Sequence, residues 1–297
     1  MSERRFYIVD VFAETRFAGN QLAVFRDGKN YNDAEMQQIA KEMNFSETTF
    51  IASDEPRNGG YDVRIFTPAE EVPFAGHPTL GTAYIIMREI IGEPVDSVGL
   101  NLMVGQIPVD LIYKDGKPDI LWMTQKPPQF GRTLTAGEMA TSLGLEVNDI
   151  DTRFPVREVS TGIPFIIVPI KSLEAIKKAR VQRDEFFRMV ENSDAKAALL
   201  FCPQTYRDEN DLNVRVFVDY YDIPEDPATG SANGCLAGYL VKHDFYGSSS
   251  ISVRVEQGYE IGRPSLLWLK ARENEDEIEV RVGGKVFMVA QASLING

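Results

Sequence analysis

Two cysteines, Cys202 and Cys235, and two histidines, His77 and His243, are all that the 297 residues contain of the side chains most used for disulfides and soft-metal binding. Two thiols cannot build a disulfide framework, and as free cysteines they read as buried core residues. No CxxC, HxxH or HExxH spacing occurs, so no metal site is expected. Basic charge is scarce as well: 31 Lys and Arg stand against 44 Asp and Glu, for a net charge of -13, and no basic run is longer than the pairs Arg4-Arg5 and Lys177-Lys178. That balance argues against nucleic acid as a partner. No window approaches the roughly 18 apolar residues that a membrane span needs, and the start MSERRFYIVDVF passes straight into a strand-like alternation. A soluble cytoplasmic protein is expected. A nucleotide enzyme is disfavoured by the lack of a GxxxxGK[ST] or post-strand GxGxxG pattern.

What is present suits an ordinary globular chain, 43% hydrophobic and 25% charged, with a length that favours two domains. Phe6 to Phe12 alternates as a strand does, and the turn Phe17-Ala18-Gly19-Asn20 leads into Leu22 to Phe25, which predicts a hairpin. Met36, Ile39, Ala40 and Met43 fall at helical spacing behind Asp33, read as the cap. Strands follow at FSETTFI and at Tyr61 to Phe66. Beyond them come a loop, TPAEEVPFAGHP, and an apolar helix-like run from Leu80 to Ile91. Leu100 to Val104, Pro108 to Tyr113 and Ile120 to Thr124 complete this half.

The second half repeats that order. VRIFTPAEEVPFAGHPTLGTAYII reads against VRVFVDYYDIPEDPATGSANGCLAGYL, with Arg64 matching Arg215, Phe66 matching Phe217 and, after a short insertion, Gly76 matching Gly230. Phe50 aligns with Phe201, so Glu47 aligns with Ala198; Gly19 resembles Gly162 and Gly105 resembles Gly258. Matches in one order point to an internal duplication. The expected fold is α+β, two similar domains each with a curved mixed or antiparallel sheet around a central helix, and an active site in the cleft between them. The boundary is read at Lys126 to Gly131, giving domains 1–125 and 126–297. The C-terminal strand near 284–297 is expected to pack back on the first domain, and Thr135 to Leu143 to form a bridging helix.

Each half has a glycine directly before a helical run, in Ala75-Gly76-His77-Pro78 and in Thr229-Gly230-Ser231-Ala232. Free amides at such helix starts bind anions, with the helix dipole behind them. Gly76, Gly230, Ser231 and Ala232 are therefore candidate substrate-binding residues, with Asn20 after Gly19 as a turn cap or a further contact. Glu47 is the candidate proton-transfer group, because its aligned position in the second half is not acidic, as a one-base shuttle requires. His77 and Asp226 are the other polar candidates, and His243 reads as a helix C-terminal or surface residue.

The segments FAGNQLAVF, FSETTFI, FAGHPTLGTAY, STGIPFIIV and EDPATGSA together resemble the ordered signature of the PhzF-like (phenazine biosynthesis F-type) family, from about residue 5 onward. The resemblance implies the diaminopimelate-epimerase-like fold, Glu47 as general acid/base, His77, Asp226 and Ser231 as polar active-site residues, and Gly76 and Gly230 at anion sites. It also implies an isomerase that needs no cofactor, acts on a small anionic carboxylate substrate and is plausible as a homodimer on base rates. The related epimerases carry a cysteine before each helix-start glycine; here those positions are Ala75 and Thr229, which excludes two-thiol racemisation. Gln21 stands where the family often has proline. A catalytically silent binding protein on the same fold is the alternative.

Overall fold

Two helices with no polar face set the architecture. Every residue of Gly76–Ile85 is buried, as is every residue but the last of Gly230–Lys242. A helix that is apolar on all sides must be enclosed, and the strands of this chain enclose them. The computed structural model describes residues 4–221, 223–275 and 277–295. The chain divides into two compact units, Met1–Met123 with Gly283–Gly297, and Thr124–Val282. Among the described residues no helix is long and apolar enough to cross a membrane.

In chain order the first unit contains β1 (Arg4–Val11), β2 (Asn20–Phe25), α1 (Asp33–Met43), β3 (Glu47–Ile51), β4 (Tyr61–Phe66), β5 (Glu71–Val72), the central α2 (Gly76–Ile85), β6 (Ser97–Leu102), β7 (Gly105–Lys114) and β8 (Lys117–Thr124). The second contains β9 (Gln129–Leu134), α3 (Ala136–Leu143), β10 (Val156–Ser160), β11 (Pro164–Pro169), α4 (Leu173–Lys178), α5 (Arg183–Val190), β12 (Ala198–Cys202), β13 (Leu212–Val218), β14 (Ile223–Asp226), the central α6 (Gly230–Lys242), β15 (Ser250–Gln257) and β16 (Ser265–Glu273). β17 (Ile278–Gly284) leads back, and β18 (Val286–Leu294) pairs antiparallel with β1.

The pairings repeat. β1–β2 is antiparallel, β2–β3 parallel, β3–β4 antiparallel, β4–β6 parallel and β6–β7 antiparallel. The second unit runs through the same alternation with β10–β11, β11–β12, β12–β13, β13–β15 and β15–β16. Each parallel pair is joined by a helical crossover, as such pairs must be.

Register corrects the expected alignment of the halves by one residue. Phe50 lies opposite Arg64, whereas the residue opposite Arg215 is Leu200, not Phe201. Glu47 therefore corresponds to Ala197 rather than Ala198. A slip of one residue turns a side chain to the other face of a strand: Phe201 packs on Tyr239 of the central helix, while Phe50 packs away from the central helix with Phe25, Tyr31 and Phe66. Neither alanine carries a charge, so the acid remains one-sided.

In the first unit the two faces of the sheet hold separate cores. Phe6, Ala23, Phe25, Phe50 and Phe66 pack under Met36 and Ala40 of α1, with Phe6–Phe25 and Phe25–Phe50 stacked at 4.8 and 5.1 Å. Each such ring pair adds about 0.5–1.5 kcal/mol beyond its buried area. On the opposite face Val9, Val11 and Leu22 close on α2 so tightly that a Cβ at Gly81 would meet Leu22 Cδ2 at 2.6 Å. The same requirement is stricter in α6, where a Cβ at Gly238 would lie 2.7 Å from the rigid ring of Pro128.

Two local expectations change. Asn32, not Asp33, caps α1: its side chain accepts the Glu35 N–H while the Glu35 carboxylate accepts the Asn32 N–H, a reciprocal box that Asp33 could not close from one position later. Asp33 accepts from Arg64 instead. In the helix after Thr135, Met139, Ala140 and Leu143 pack with Phe186 and Val190 inside the second unit. The hairpin turn between β1 and β2 is a long loop in which Phe12, Phe17 and Gly19 all take positive φ. The Phe17 N–H donates to the buried Asp10 carboxylate at 2.6 Å, and a Cβ at Gly19 would strike the Val11 carbonyl.

The aligned arginines share a task that spacing alone did not disclose. Arg64 grips Glu71 through two bonds of 2.7 Å, and Arg215 grips Glu225 at 3.0 and 2.6 Å. Each fork ties the short strand before a central helix to the long strand beside it. The second pair is buried, at 3% and 6% exposure, against 34% and 26% for the first. Arg215 also donates to the carbonyls of Ile176 and Ala179. Glu225→Leu is therefore expected to cost about 3–5 kcal/mol, by stranding a buried cation, and Glu71→Leu less, in urea unfolding at neutral pH. In the same assay Gly238→Val is expected to cost about 1–3 kcal/mol through overpacking. Equal losses at Glu225 and Glu71 would contradict the difference in burial.

Candidate active site

Period-two geometry aims Glu47 at the central helix. Leu22 and Glu47 are register partners in the parallel β2–β3 pair and share a face with Asn20 and Thr49. That face is fixed by Thr49, whose hydroxyl is 2.8 Å from that of Thr82 in α2. Glu47, one pleat earlier, then lies over the first turn of the helix, and its Oε2 is 3.4 Å from His77 Nε2. The separation is long for a hydrogen bond, as catalytic contacts often are before substrate binds.

His77 is neutral. Burial pushes its imidazole down to about 3, against a weaker opposing hydrogen bond with the Gln21 backbone. Nε2 takes no part in that bond, so Nδ1–H donates to the Gln21 carbonyl and the Nε2 lone pair faces Glu47. A protonated Glu47 can donate to this nitrogen; an ionised Glu47 receives nothing from it. Asn20 is buried at the start of β2, opposite Val11.

The helix start itself has no side-chain cap. Asn32, Thr135 and Ser172 each accept an amide at the start of α1, α3 and α4. Ala75 has nothing to offer α2, and Thr79 Oγ1 turns back to the Ala75 carbonyl at 2.8 Å. At α6 the cap residue Thr229 could accept an amide, but its hydroxyl is given to Asp226 Oδ2 at 2.5 Å. The amides of the first turn at Gly76 and at Gly230 thus keep the dipole-backed anion affinity that a side-chain cap would consume.

In the second unit Asp226 ends β14 opposite Val216, and Gly230, Ser231 and Ala232 form the buried first turn of α6. The structure brings Glu47 and His77 together in the first unit, and joins Asp226 to the Thr229-Gly230 turn in the second. His243 caps the C-terminus of α6 against Tyr239 and Phe130. Cys202 and Cys235 are buried thiols, pushed up by desolvation to about 11 and 12 and so held protonated. Among the described residues no group of three or more His, Cys, Asp or Glu could hold a metal ion.

Sequence reading passed over Thr161, Gln125 and Gln257. The Thr161 hydroxyl reaches Gln125 Oε1 at 3.4 Å and the Ser231 carbonyl at 3.5 Å, beside the start of α6. Gln257 bonds the Asp226–Thr229 loop. Each stands at or just past the end of a strand, and nothing in its sequence neighbours marks it.

The family model described as phenazine biosynthesis-like protein (PhzC-PhzF) matches residues 9–292. The trans-2,3-dihydro-3-hydroxyanthranilate isomerase of Pseudomonas fluorescens is 34% identical over 98% of this chain and 99% of its own length. A PhzF-family crystal structure from Bacillus anthracis superposes with a TM-score of 0.89 at 27% identity, covering 100% of both chains. A probable proline racemase from Agrobacterium radiobacter shares the fold at a TM-score of 0.64 and 9% identity, over 98% of this chain and 93% of its own. With that full-length match and a mixed sheet around each central helix, the chain belongs to the phenazine biosynthesis-like family and is an isomerase on the diaminopimelate-epimerase-like fold.

Proposed function

We propose that the protein moves a proton between two carbons of a small carboxylate-bearing substrate without a cofactor, with Glu47 as the general acid/base. The observation that carries this reading is the carboxyl of Glu47 standing 3.4 Å from a neutral, buried His77 at an uncapped helix start. In its ionised form Glu47 takes a proton from an acidic C–H bond. The electron pair left on that carbon flows into an adjacent double bond or carbonyl, and the double bond shifts as a proton is returned at another carbon. Protons and electrons balance within the substrate.

His77 contributes as an acceptor. While Glu47 holds the migrating proton, the Nε2 lone pair can receive a hydrogen bond from the carboxyl, steadying the acid between its two tasks. The amides at Gly76 and Gly230 and the Ser231 hydroxyl are assigned to the anionic groups of the substrate, with Asn20 and Ala232 lining it. Charge developing on an oxygen in the transition state would be stabilised there by donors already in place. Asp226 is assigned to polar contact with the substrate. The relative from Pseudomonas fluorescens is named for a hydroxyanthranilate, itself a carboxylate, which supports this substrate class.

The test is proton NMR in D2O with a panel of small unsaturated amino and hydroxy acids. Wild-type protein is expected to place deuterium at a carbon of at least one compound, and Glu47→Gln to slow this by about 10²–10⁴-fold with unchanged folding. An unimpaired Gln variant would sink the role of Glu47. Equal ligand-induced stabilisation of both proteins, with no exchange by either, would favour a binding protein instead. The second test concerns His77. Its folded pKa is depressed, so protons bind preferentially to the unfolded chain: the ring costs nothing above its ordinary 6.5 and destabilises the fold increasingly as pH falls from there towards about 3. NMR titration is expected to show no His77 inflection between about pH 8 and pH 4; an inflection near 6.5 would place a charged imidazole beside Glu47 and reverse its role.

A further inference from the structure

Asp226 sits on a loop, Asp226-Pro227-Ala228-Thr229, in which the Thr229 hydroxyl donates to its carboxylate. Gln257, at the end of β15 and fully buried, holds it from outside. Its Nε2 donates to the Asp226 carbonyl at 2.8 Å and to Thr229 Oγ1 at 3.1 Å. Its Oε1 accepts from the Thr229 N–H at 3.2 Å and from Asn233 Nδ2 at 2.9 Å. Asn233 also donates to the Thr229 carbonyl at 3.0 Å. Two neighbours continue the grip: Ser265, opposite Gln257 on β16, donates through Oγ to the Pro227 carbonyl at 2.9 Å, and a Cβ at Gly258 would press on that same carbonyl at 2.6 Å.

These bonds have a direction. The amide nitrogen of Gln257 occupies a lone pair of the Thr229 hydroxyl, so the hydroxyl proton is free to point only at the Asp226 carboxylate, 2.5 Å away. One glutamine thus sets both the place of the Asp226 backbone and the orientation of its carboxylate, and it stabilises the turn that opens α6. The device is one-sided. Tyr61 pairs with Leu100 where Leu212 pairs with Val255, so the counterpart of Gln257 in the first unit is the apolar Leu102. Likewise Val72, opposite Ile65, stands where Asp226 stands opposite Val216. A polar hub occurs in the unit that has an aspartate to hold.

We infer that Gln257 is a positioning residue for the isomerisation, acting through Thr229 on Asp226; this rests on the proposed assignment of Asp226 to the substrate. Hydrogen–deuterium exchange tests the positioning without any substrate. In Gln257→Leu the amides of Ala228 to Asn233 are expected to exchange at least about tenfold faster, while β11 and β12 keep wild-type protection; unchanged exchange at those amides would overturn the inference. Should the Leu variant not fold, Gln257→Glu keeps the volume and polarity. It presents an oxygen to the Asp226 carbonyl and diverts the Thr229 proton, so the same loss of protection is expected. With whichever compound the wild type deuterates, Gln257→Leu is expected to lower kcat by about 10²-fold with KM little changed, and to add little in an Asp226→Asn background. A full additive loss in that background also counts against it. If the wild type exchanges no compound, the isomerase mechanism fails alone, and the amide exchange still decides the role of Gln257.

Discussion

Both central helices of this protein are buried on every side and leave the amides of their first turns without a side-chain cap. Burying such groups unsatisfied costs free energy comparable to a lost hydrogen bond each. At two equivalent places, Gly76 and Gly230, no cap side chain competes for those amides. Uncapped amides of this kind are what a substrate anion can engage, so the enclosure of the helices and the chemistry assigned to their starts have one physical origin.

Around these helix starts the duplicated scaffold has been made unlike itself. The first unit sets an acid and a neutral imidazole against its helix, at Glu47 and His77; the second sets Asp226, Thr229 and Ser231 there. Shared features are structural: the alternation of parallel and antiparallel pairs and the Arg64–Glu71 and Arg215–Glu225 forks. Differences concentrate at strand ends and first turns, where a side chain can change without disturbing the sheet. The forks bear on the site, because each ties down the short strand that feeds a central helix; the buried one leaves Glu225, next to Asp226, little freedom.

Most of the fold was legible because its signals are local. The apolar runs after Gly76 and Gly230 lack a polar stripe and so read as central helices; the alternation of β1 and the repeated VRIF and VRVF strands read as strands; EDPATGSA and FAGHP marked the helix starts. Glu47, His77 and Asp226 stood out for being polar in apolar or turn-forming surroundings. What escaped was register. Phe50 and Phe201 look equivalent in sequence, yet pairing partners across β4 and β13 show them on opposite faces, since a strand's period of two makes a one-residue error a complete inversion. The cap at Asn32 was missed for a similar reason: adjacent residues of like chemistry compete, and only the contacts choose.

The sequence by itself determined that two apolar helices would be wrapped by mixed sheets in a duplicated pattern, and that only one half would carry the acid, because composition and periodicity act over neighbouring residues. Tertiary structure alone decided which groups meet. It put Glu47 over His77, left that imidazole neutral by removing water from it, and brought Gln257 to Asp226 across 31 positions of chain. Such contacts depend on register and burial, which are properties of the packed chain and appear in no single stretch of it.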